Sequence, residues 1–261
     1  MILNMETIKF NLAANMAIIR KPDSNETYYT YNFPHKIMIL GLLGAIIGLN
    51  GYNYNLFQKN LGRKVNGNPE FYEKLKNLKI AIVPNLGKEN FPRKIQVFNN
   101  SVGYASNETG NNLIVKEQWL EKPSWTIYIL EDESEEYKKI KDYLINKKCE
   151  YIPYIGKNDH FADIKNITVE ATEQSNEKIN KIDSLYDQKI ANIKDDLFEE
   201  ILGFEMIENR KYFLYKEVLP ISLNEKIGYD EYKEFVYTNQ ELDIKNISNI
   251  YKINNQNIYY F

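Results

Sequence analysis

The chain has 261 residues, 43% of them hydrophobic and 26% charged, which is enough apolar sequence to bury a substantial core. The single cysteine, Cys149, excludes an internal disulfide and a metal cluster built from cysteines. The net charge of −3 is unlike that of a typical nucleic-acid-binding protein. We find no targeting signal or membrane segment and therefore expect a cytoplasmic protein.

The charge is unevenly distributed along the chain. Residues 1–100 hold 13 Lys and Arg against 6 Asp and Glu, a net of +7, whereas residues 101–261 hold 20 against 30, a net of −10. A basic front half is expected where that half faces phosphate groups. The alternative is an uneven scatter of solvated surface charges.

The first predicted elements are a strand and a buried helix. Apolar alternation indicates a strand over Thr7–Leu12, which Met16–Ile19 extends. From Ile37 to Leu49 the residues are all apolar or glycine, so a helix there has no polar face and must be buried. Its glycines lie on one side, where a neighbouring element can approach closely; they are Gly41, Gly44 and Gly48. The segment is too short to cross a bilayer, which takes about 20 residues.

Cations and aromatic residues are concentrated in the segment that precedes this helix. The N-terminus of a helix carries partial positive charge and free N–H groups, which attract phosphate. We therefore predict RNA contacts from six residues of this segment: Arg20, Lys21, Tyr28, Tyr31, His35 and Lys36.

The middle of the chain alternates between short helices and strands. A loop with a short helix spans Tyr52 to Pro69, and Lys79–Val83 is a strand for which Lys94–Phe98 is the expected partner. Residues 84–113 then form a projecting hairpin that carries Arg93 and Lys94. The elements that follow are strands at Leu113–Leu120 and Ser124–Leu130, a helix at Ser134–Lys147 and a strand at Ile167–Ala171.

This order predicts an α+β protein with a ferredoxin-like β-α-β-β-α-β domain over residues 1–173, related to the RNA-recognition motif. In that motif RNA binds on the open face of the sheet. Residues 174–261 form a β-rich C-terminal region, with a helix around Ile190, Ile193 and Leu197. Its expected strands are a hairpin over Phe204–Leu219, Tyr232–Tyr237, and a final pair, Ile250–Ile253 and Ile258–Phe261.

The sequence contains few residues that could act in catalysis or bind a metal or cofactor. The chain has two histidines, His35 and His160, and histidine is the side chain that titrates near neutrality without help. His160 follows Gly156 and Lys157 in a polar segment that is interpreted as a structural turn, an RNA contact or a catalytic site. No phosphate-binding loop, dinucleotide motif or metal-ligand spacing is present, so we predict no cofactor, no metal and no catalytic residue.

Four segments together resemble the Cas-five family of CRISPR-associated proteins, in its type I-B branch. They are Arg20-Lys21-Pro22-Asp23-Ser24, Thr30-Tyr31-Asn32-Phe33-Pro34, Leu40-Gly41-Leu42-Leu43-Gly44-Ala45 and Tyr154-Ile155-Gly156-Lys157-Asn158-Asp159-His160. The resemblance covers roughly residues 5–170. It implies a hairpin thumb about residues 84–113 and a subunit of the Cascade interference complex that caps the 5′ handle of the CRISPR RNA.

The implied partners are the handle, a backbone subunit of the Cas-seven type and a large subunit of the Cas-eight type. The implied handle contacts are Arg20, Lys21 and Lys36. The full set of predicted RNA-binding residues is Arg20, Lys21, Tyr28, Tyr31, His35, Lys36, Arg93, Lys94, Lys157 and His160. One branch of the family cleaves precursor RNA with a Tyr, Lys and His set, but Arg93-Lys94 has no histidine beside it. The leading hypothesis is therefore a non-catalytic RNA-binding subunit in antiviral defence. The alternatives are a metal-independent endoribonuclease using His35 or His160 as general base, and a small-molecule enzyme unrelated to RNA.

Overall fold

The computed structural model describes residues 5–24, 26–65, 67–86, 91–100, 113–175, 178–194, 212–224 and 228–261. The fold is mixed α+β, as predicted, and rich in strands. The helices are α1 (Lys36–Ile47), α2 (Tyr52–Asn60), α3 (Glu70–Leu75) and α4 (Glu135–Ile145). The strands before α4 are β1 (Met5–Ala13), β2 (Met16–Ala17), β3 (Thr27–Tyr28), β4 (Ile80–Pro84), β5 (Arg93–Asn100), β6 (Leu113–Glu121) and β7 (Ser124–Leu130).

Ten strands follow α4. They are β8 (Asp163–Gln174), β9 (Tyr186–Asp187), β10 (Ala191–Ile193), β11 (Leu214–Pro220), β12 (Leu223–Asn224), β13 (Gly228–Tyr229), β14 (Tyr232–Thr238), β15 (Leu242–Ile244), β16 (Ile250–Ile253) and β17 (Gln256–Tyr259). The predicted strands at the start of the chain, at Ser124–Leu130 and at the final hairpin are confirmed, as is the helix capped by Ser134.

A six-stranded sheet in the order β17-β16-β8-β1-β7-β4 forms the centre of the molecule, and its ladders are antiparallel. Helix α1 follows β1 in the chain and α4 connects β7 to β8. The residues of β1 that face these helices are fully buried, with Phe10 opposite Ile127 of β7. The predicted chain order of strand, helix, two strands, helix and strand is therefore present in β1, α1, β4, β7, α4 and β8.

The buried helix predicted from the sequence is confirmed as α1. Its N-cap is His35, whose Nδ1 accepts a hydrogen bond from the Met38 amide at 3.2 Å. It ends at Ile47, two residues before the predicted end, because Gly48 adopts the left-handed conformation that closes a helix (φ 82°). Phe71 of α3 packs on Gly44, so the close approach expected along the glycine side is present.

No single helix in the described part of the chain is long and apolar enough to cross a membrane. The bent pair α1 and α2, which meet at 73°, satisfies the same criteria of length and composition together.

The sheet is nearly closed, because the C-terminal segment returns to its far edge. The amide and carbonyl of Phe261 exchange hydrogen bonds with those of Ile80 on β4, at 2.9 and 3.1 Å. The Leu185 amide also donates to the carbonyl of Ile82 at 2.8 Å. A second core cluster fills the sheet face opposite the helices; it contains Ala81, Val83, Tyr128, Leu130, Tyr251, Ile253, Ile258 and Tyr260. This sheet face is therefore covered and is not an open surface like the one on which the RNA-recognition motif binds RNA.

Strands β5 and β6 pair antiparallel and overlap only in part with the hairpin predicted about residues 84–113; residues 101–112 lie outside the described residues. The predicted pairing of Lys79–Val83 with Lys94–Phe98 is wrong, because β4 pairs with β7 and β5 pairs with β6. Strand β4 is buried throughout and its other edge is taken by the C-terminal segment, which leaves no edge for β5.

The C-terminal region contains a second sheet, β11-β14-β9. The predicted helix around Ile190 and Ile193 is wrong: a short 3-10 turn leads into β10, which pairs with β15. Tertiary pairing with β15 overrides the helical periodicity there. Leu197 and the first half of the predicted Phe204–Leu219 hairpin lie outside the described residues, and β11 occupies the end of that segment.

We expect Gly44→Ala to destabilise the protein even though alanine favours helix by about 1 kcal/mol. A methyl group at Gly44 would lie 2.5 Å from the Cβ of Phe71, so α3 would have to move, at a cost of about 1–3 kcal/mol. Gly41→Ala is the matched control, because its nearest neighbour would be 3.7 Å away. Chemical denaturation should give opposite signs for the two variants. Equal gains in stability would contradict the packing of α3 on α1.

Candidate nucleic-acid interface

The basic loop, residues 20–35, is attached to the hairpin strand β6. Strand β3 lies parallel to β6, with Tyr28 opposite Glu117, and Arg20 forms a backbone bridge with Thr30. The guanidinium carbon of Arg20 lies 3.6 Å from the centre of the Tyr28 ring, which is a stacked cation–π geometry. The loop thus presents Arg20 and Tyr28 as one unit.

These two residues form part of the wall of a cleft of about 940 Å³. One side is the half-buried, apolar flank of α1, and another is the connection from α1 to α2. The segment 151–157 completes it. Polar and aromatic lining residues are Arg20, Tyr28, His35, Asn50, Tyr52, Asn53, Phe71, Glu117, Tyr151, Tyr154, Lys157 and Tyr229.

Tyrosine is the characteristic residue of this cleft. Three of its tyrosines are largely exposed: Tyr52 (54%), Tyr151 (58%) and Tyr154 (48%). An exposed aromatic ring beside a groove is a platform on which an unpaired base stacks, and each such stack stabilises a nucleic-acid complex by about 1–3 kcal/mol.

The cleft carries little net charge. Its charged lining residues, within the described ranges, are Arg20, Lys157 and Glu117, which give a net of +1. The Lys157 ammonium lies 3.0 Å from Glu117 and 4.5 Å from the centre of the Phe98 ring, so its charge is largely compensated. Ligand binding here would depend on stacking and hydrogen bonding more than on neutralising many phosphates.

Gly156 fixes the segment that supplies Tyr154 and Lys157. Its φ of 84° lies in the left-handed region, and a Cβ atom there would be 1.6 Å from the carbonyl oxygen of Ile18. Glycine is therefore required for the segment to pass this close to the backbone. A hydrogen bond from the Ile155 amide to the His160 carbonyl (2.9 Å) closes the turn. The structural turn considered for this segment is present.

His35 is buried, with 2% of the residue exposed. Besides capping α1, its Nε2 lies 3.3 Å from the hydroxyl of Tyr229, and its ring makes edge-to-face contacts with Tyr31 and Tyr229. Burial lowers the pKa of His35 to about 3. The imidazole is therefore neutral at physiological pH and acts as a helix cap.

His160 is also buried, at 5% exposure, with its ring 4.6 Å from that of Trp119. Burial lowers its pKa, with Lys157 adding to the effect and Asp159 and Glu117 opposing it. Trp119 is shared by two of the predicted RNA-binding lysines: the ammonium of Lys157 lies 5.5 Å from the ring centre and that of Lys94 lies 6.0 Å away.

Other predicted site residues lie outside the cleft lining. Lys21 forms an ion pair with the buried Glu217 at 3.3 Å and lies over the ring of Tyr31, which is itself buried. The guanidinium of Arg93 donates a hydrogen bond to the side-chain oxygen of Asn32.

Lys36 is turned toward the end of the chain, where its ammonium donates to the carbonyl of Phe261 at 3.3 Å. Burial, together with repulsion from Lys233 and Lys79, lowers the pKa of Lys36 to about 8.

The structure therefore brings together Arg20, Tyr28, His35 and Lys157 of the predicted set. Sequence reasoning missed Tyr52, Tyr151, Tyr154 and Glu117. The available signal for the tyrosines was the density of 21 tyrosines in the chain, several of them beside turns. Within the described residues, no group of three His, Cys, Asp or Glu side chains is arranged to hold a metal ion.

No protein-family model matches the sequence, and no curated protein sequence matches it. A solved structure does share its fold. A chain of a "CRISPR RNA-guided surveillance complex" superposes with a TM-score of 0.50 at 14% identity, covering 90% of each chain. A CRISPR protein from Archaeoglobus fulgidus has a TM-score of 0.46 at 9% identity, covering 97% of this chain and 98% of that one. At these identities the likeness concerns the fold.

We expect stability to fall as the pH is lowered from 6.5 toward 5, in part because of His35. Its folded pKa near 3 lies below the ordinary value of 6.5, so the unfolded chain binds a proton that the folded chain does not. Each pH unit in this window removes about 1.4 kcal/mol, or about 2 kcal/mol by pH 5. Thermal or denaturant melts of His35→Asn, which keeps an N-cap oxygen, should lack this component. His160 is present in both proteins, so its contribution to the pH dependence of stability cancels in the comparison. Parallel pH profiles for the two proteins would rule out this role of His35.

Proposed function

We propose that this protein is a non-catalytic RNA-binding subunit of a CRISPR interference complex, and that it holds the 5′ handle of the CRISPR RNA in the tyrosine-lined cleft. The observation that carries the proposal is the cleft itself, which is lined by the stacked pair Arg20–Tyr28 and by the exposed rings of Tyr151 and Tyr154. The fold shared with a chain of a CRISPR RNA-guided surveillance complex supports it.

We further infer that the central strands and helices are a ferredoxin-like arrangement. The antiparallel order β8-β1-β7-β4, with α1 and α4 as the connecting helices, supports this interpretation. Since the second sheet face is covered, RNA binds beside the sheet, where the basic loop meets β6 and the 151–157 segment. On this proposal the β5–β6 hairpin is the thumb.

Recognition in the cleft combines two interactions. The Arg20 guanidinium meets a phosphate or stacks on a base, and unpaired bases stack on tyrosine rings. Single-stranded RNA is the ligand that fits, because its bases are free to turn toward such rings. We place the protein in the cytoplasm, with backbone and large subunits of the Cas-seven and Cas-eight types as its partners.

The alternative, a metal-independent endoribonuclease, needs a base within hydrogen-bond reach of a ribose hydroxyl. Both histidines are buried, and burial lowers the pKa of each. His35 is engaged by Met38 and Tyr229, and the ring of His160 packs against Trp119. These contacts favour structural roles and support the non-catalytic proposal.

Binding of a short single-stranded handle RNA should respond differently to two cleft substitutions. Arg20→Ala removes one ionic contact, so the log–log salt slope should become shallower by about 0.7. Tyr154→Ala should weaken binding by about 1–3 kcal/mol with the slope unchanged, because a stacked ring releases no counterions. Fluorescence anisotropy over a salt series measures both.

Lys138→Ala is the charge-matched control, since Lys138 lies on the surface of α4 and pairs with Glu135. It should leave affinity and slope as they are. If Arg20→Ala and Tyr154→Ala bind like the unmodified protein while their melts are normal, the cleft is not the RNA site.

Labelled precursor repeat RNA incubated with the protein in a chelator should stay intact. We expect no cleavage because both histidines are buried and the two ring nitrogens of His35 are engaged by Met38 and Tyr229. The control is the His35→Asn, His160→Gln double variant, which should give the same gel. Cleavage by the unmodified protein that the folded double variant lacks would instead favour the nuclease.

A further inference from the structure

Glu117 is a carboxylate in the wall of a cleft that we have assigned to RNA. It lies on β6, opposite Tyr28 in the parallel pairing, and 8% of the residue is exposed. Opposite residues of paired strands project their side chains to the same face. Glu117 therefore stands beside the Arg20–Tyr28 stack. Its charge repels phosphate and halves the positive charge that Arg20 and Lys157 would otherwise provide.

The contacts of Glu117 engage one of its two carboxylate oxygens more fully than the other. Its Oε2 accepts hydrogen bonds from Trp119 Nε1 at 2.8 Å and from Lys157 Nζ at 3.0 Å, and its Oε1 accepts a longer one from the same ammonium at 3.3 Å. The Lys157 side chain is 30% exposed and Trp119 is half-buried, so water can reach either donor.

The same contacts leave acceptor capacity on one oxygen. An ionised carboxylate accepts hydrogen bonds at about four lone-pair positions, two on each oxygen. The two donors on Oε2 take both of its positions. Oε1 holds one long contact and keeps a position for another donor.

We propose that Oε1 of Glu117 accepts a hydrogen bond from the exocyclic amino group of a base stacked in the cleft, which makes Glu117 a specificity-determining residue. This inference rests on the proposed function. Adenine, cytosine and guanine carry such amino groups. Uracil has carbonyl oxygens in the corresponding positions, which a carboxylate repels. The cleft therefore selects amino-bearing bases over uracil.

The test compares short oligoadenylate with the same oligomer made from purine riboside, which lacks only the amino group. The unmodified protein should bind oligoadenylate about tenfold more tightly, since a hydrogen bond to a charged acceptor is worth about that factor. It should also prefer oligoadenylate to oligouridylate. In Glu117→Gln the preference over purine riboside should fall to about twofold, and oligouridylate should gain affinity because the amide can donate to a carbonyl.

Arg20→Ala is the matched control, because it should lower the affinity for all three oligomers by the same factor and leave the ratios of their affinities unchanged. Lys157→Met should keep the preference for amino-bearing bases. Equal binding of oligoadenylate and purine riboside to the unmodified protein, with binding still sensitive to Arg20 and Tyr154, would overturn the role of Glu117 and leave the RNA site in place. Failure of the unmodified protein to bind any oligomer would refute the RNA site itself.

Discussion

The backbone pairing of β4 with the C-terminal segment is the constraint on which the remaining architecture depends. Ile80 exchanges two hydrogen bonds with Phe261, and Ile82 accepts one from Leu185. An exposed edge of a buried apolar strand is a template for association with other chains, and this pairing removes it. The same return of the chain carries Tyr260 over the second face of the sheet, where its hydroxyl lies 2.8 Å from that of Thr7. With both faces covered, a binding surface has to be built from loops.

Local patterns predicted most elements of the fold. Uniform apolarity identified α1, and Ser134 followed by acids identified the start of α4, because these signals act within a few residues of the chain. Partner choice could not be predicted in the same way. The edge of β4 is hydrogen-bonded to Phe261, which is remote in sequence. The segment of Ile190 and Ile193, whose spacing is helical, instead contacts β15. Both outcomes are set by tertiary pairing.

The candidate site was harder to predict, because the sequence gives the number of charged residues but does not show which of them are paired with acids or turned away from the cleft. The basic front half suggested a cationic groove, yet Lys21 is paired with Glu217, Lys36 is turned to Phe261, and Lys157 is paired with Glu117. At the cleft, Arg20 stacks on the ring of Tyr28. The exposed tyrosines of the 151–154 segment depend on where the left-handed Gly156 places that segment against Ile18, which no local pattern specifies.

Glu217 anchors the basic loop to β11. Its carboxylate, on β11, accepts hydrogen bonds from the amides of Asn32 and Phe33 at 2.8 and 3.1 Å, and Lys21 adds its charge. Burial raises the pKa of Glu217, whereas Lys21 and these amides favour its charged form. Pulling the loop away would strand a buried acid, a cost of about 3–5 kcal/mol for pairs of this kind. Lys21, Asn32 and Phe33 are thus tied to β11 before any ligand arrives. The cleft-facing residues of the loop are preorganised, and binding avoids the ordering cost of about 0.5–1.5 kcal/mol for each mobile side chain.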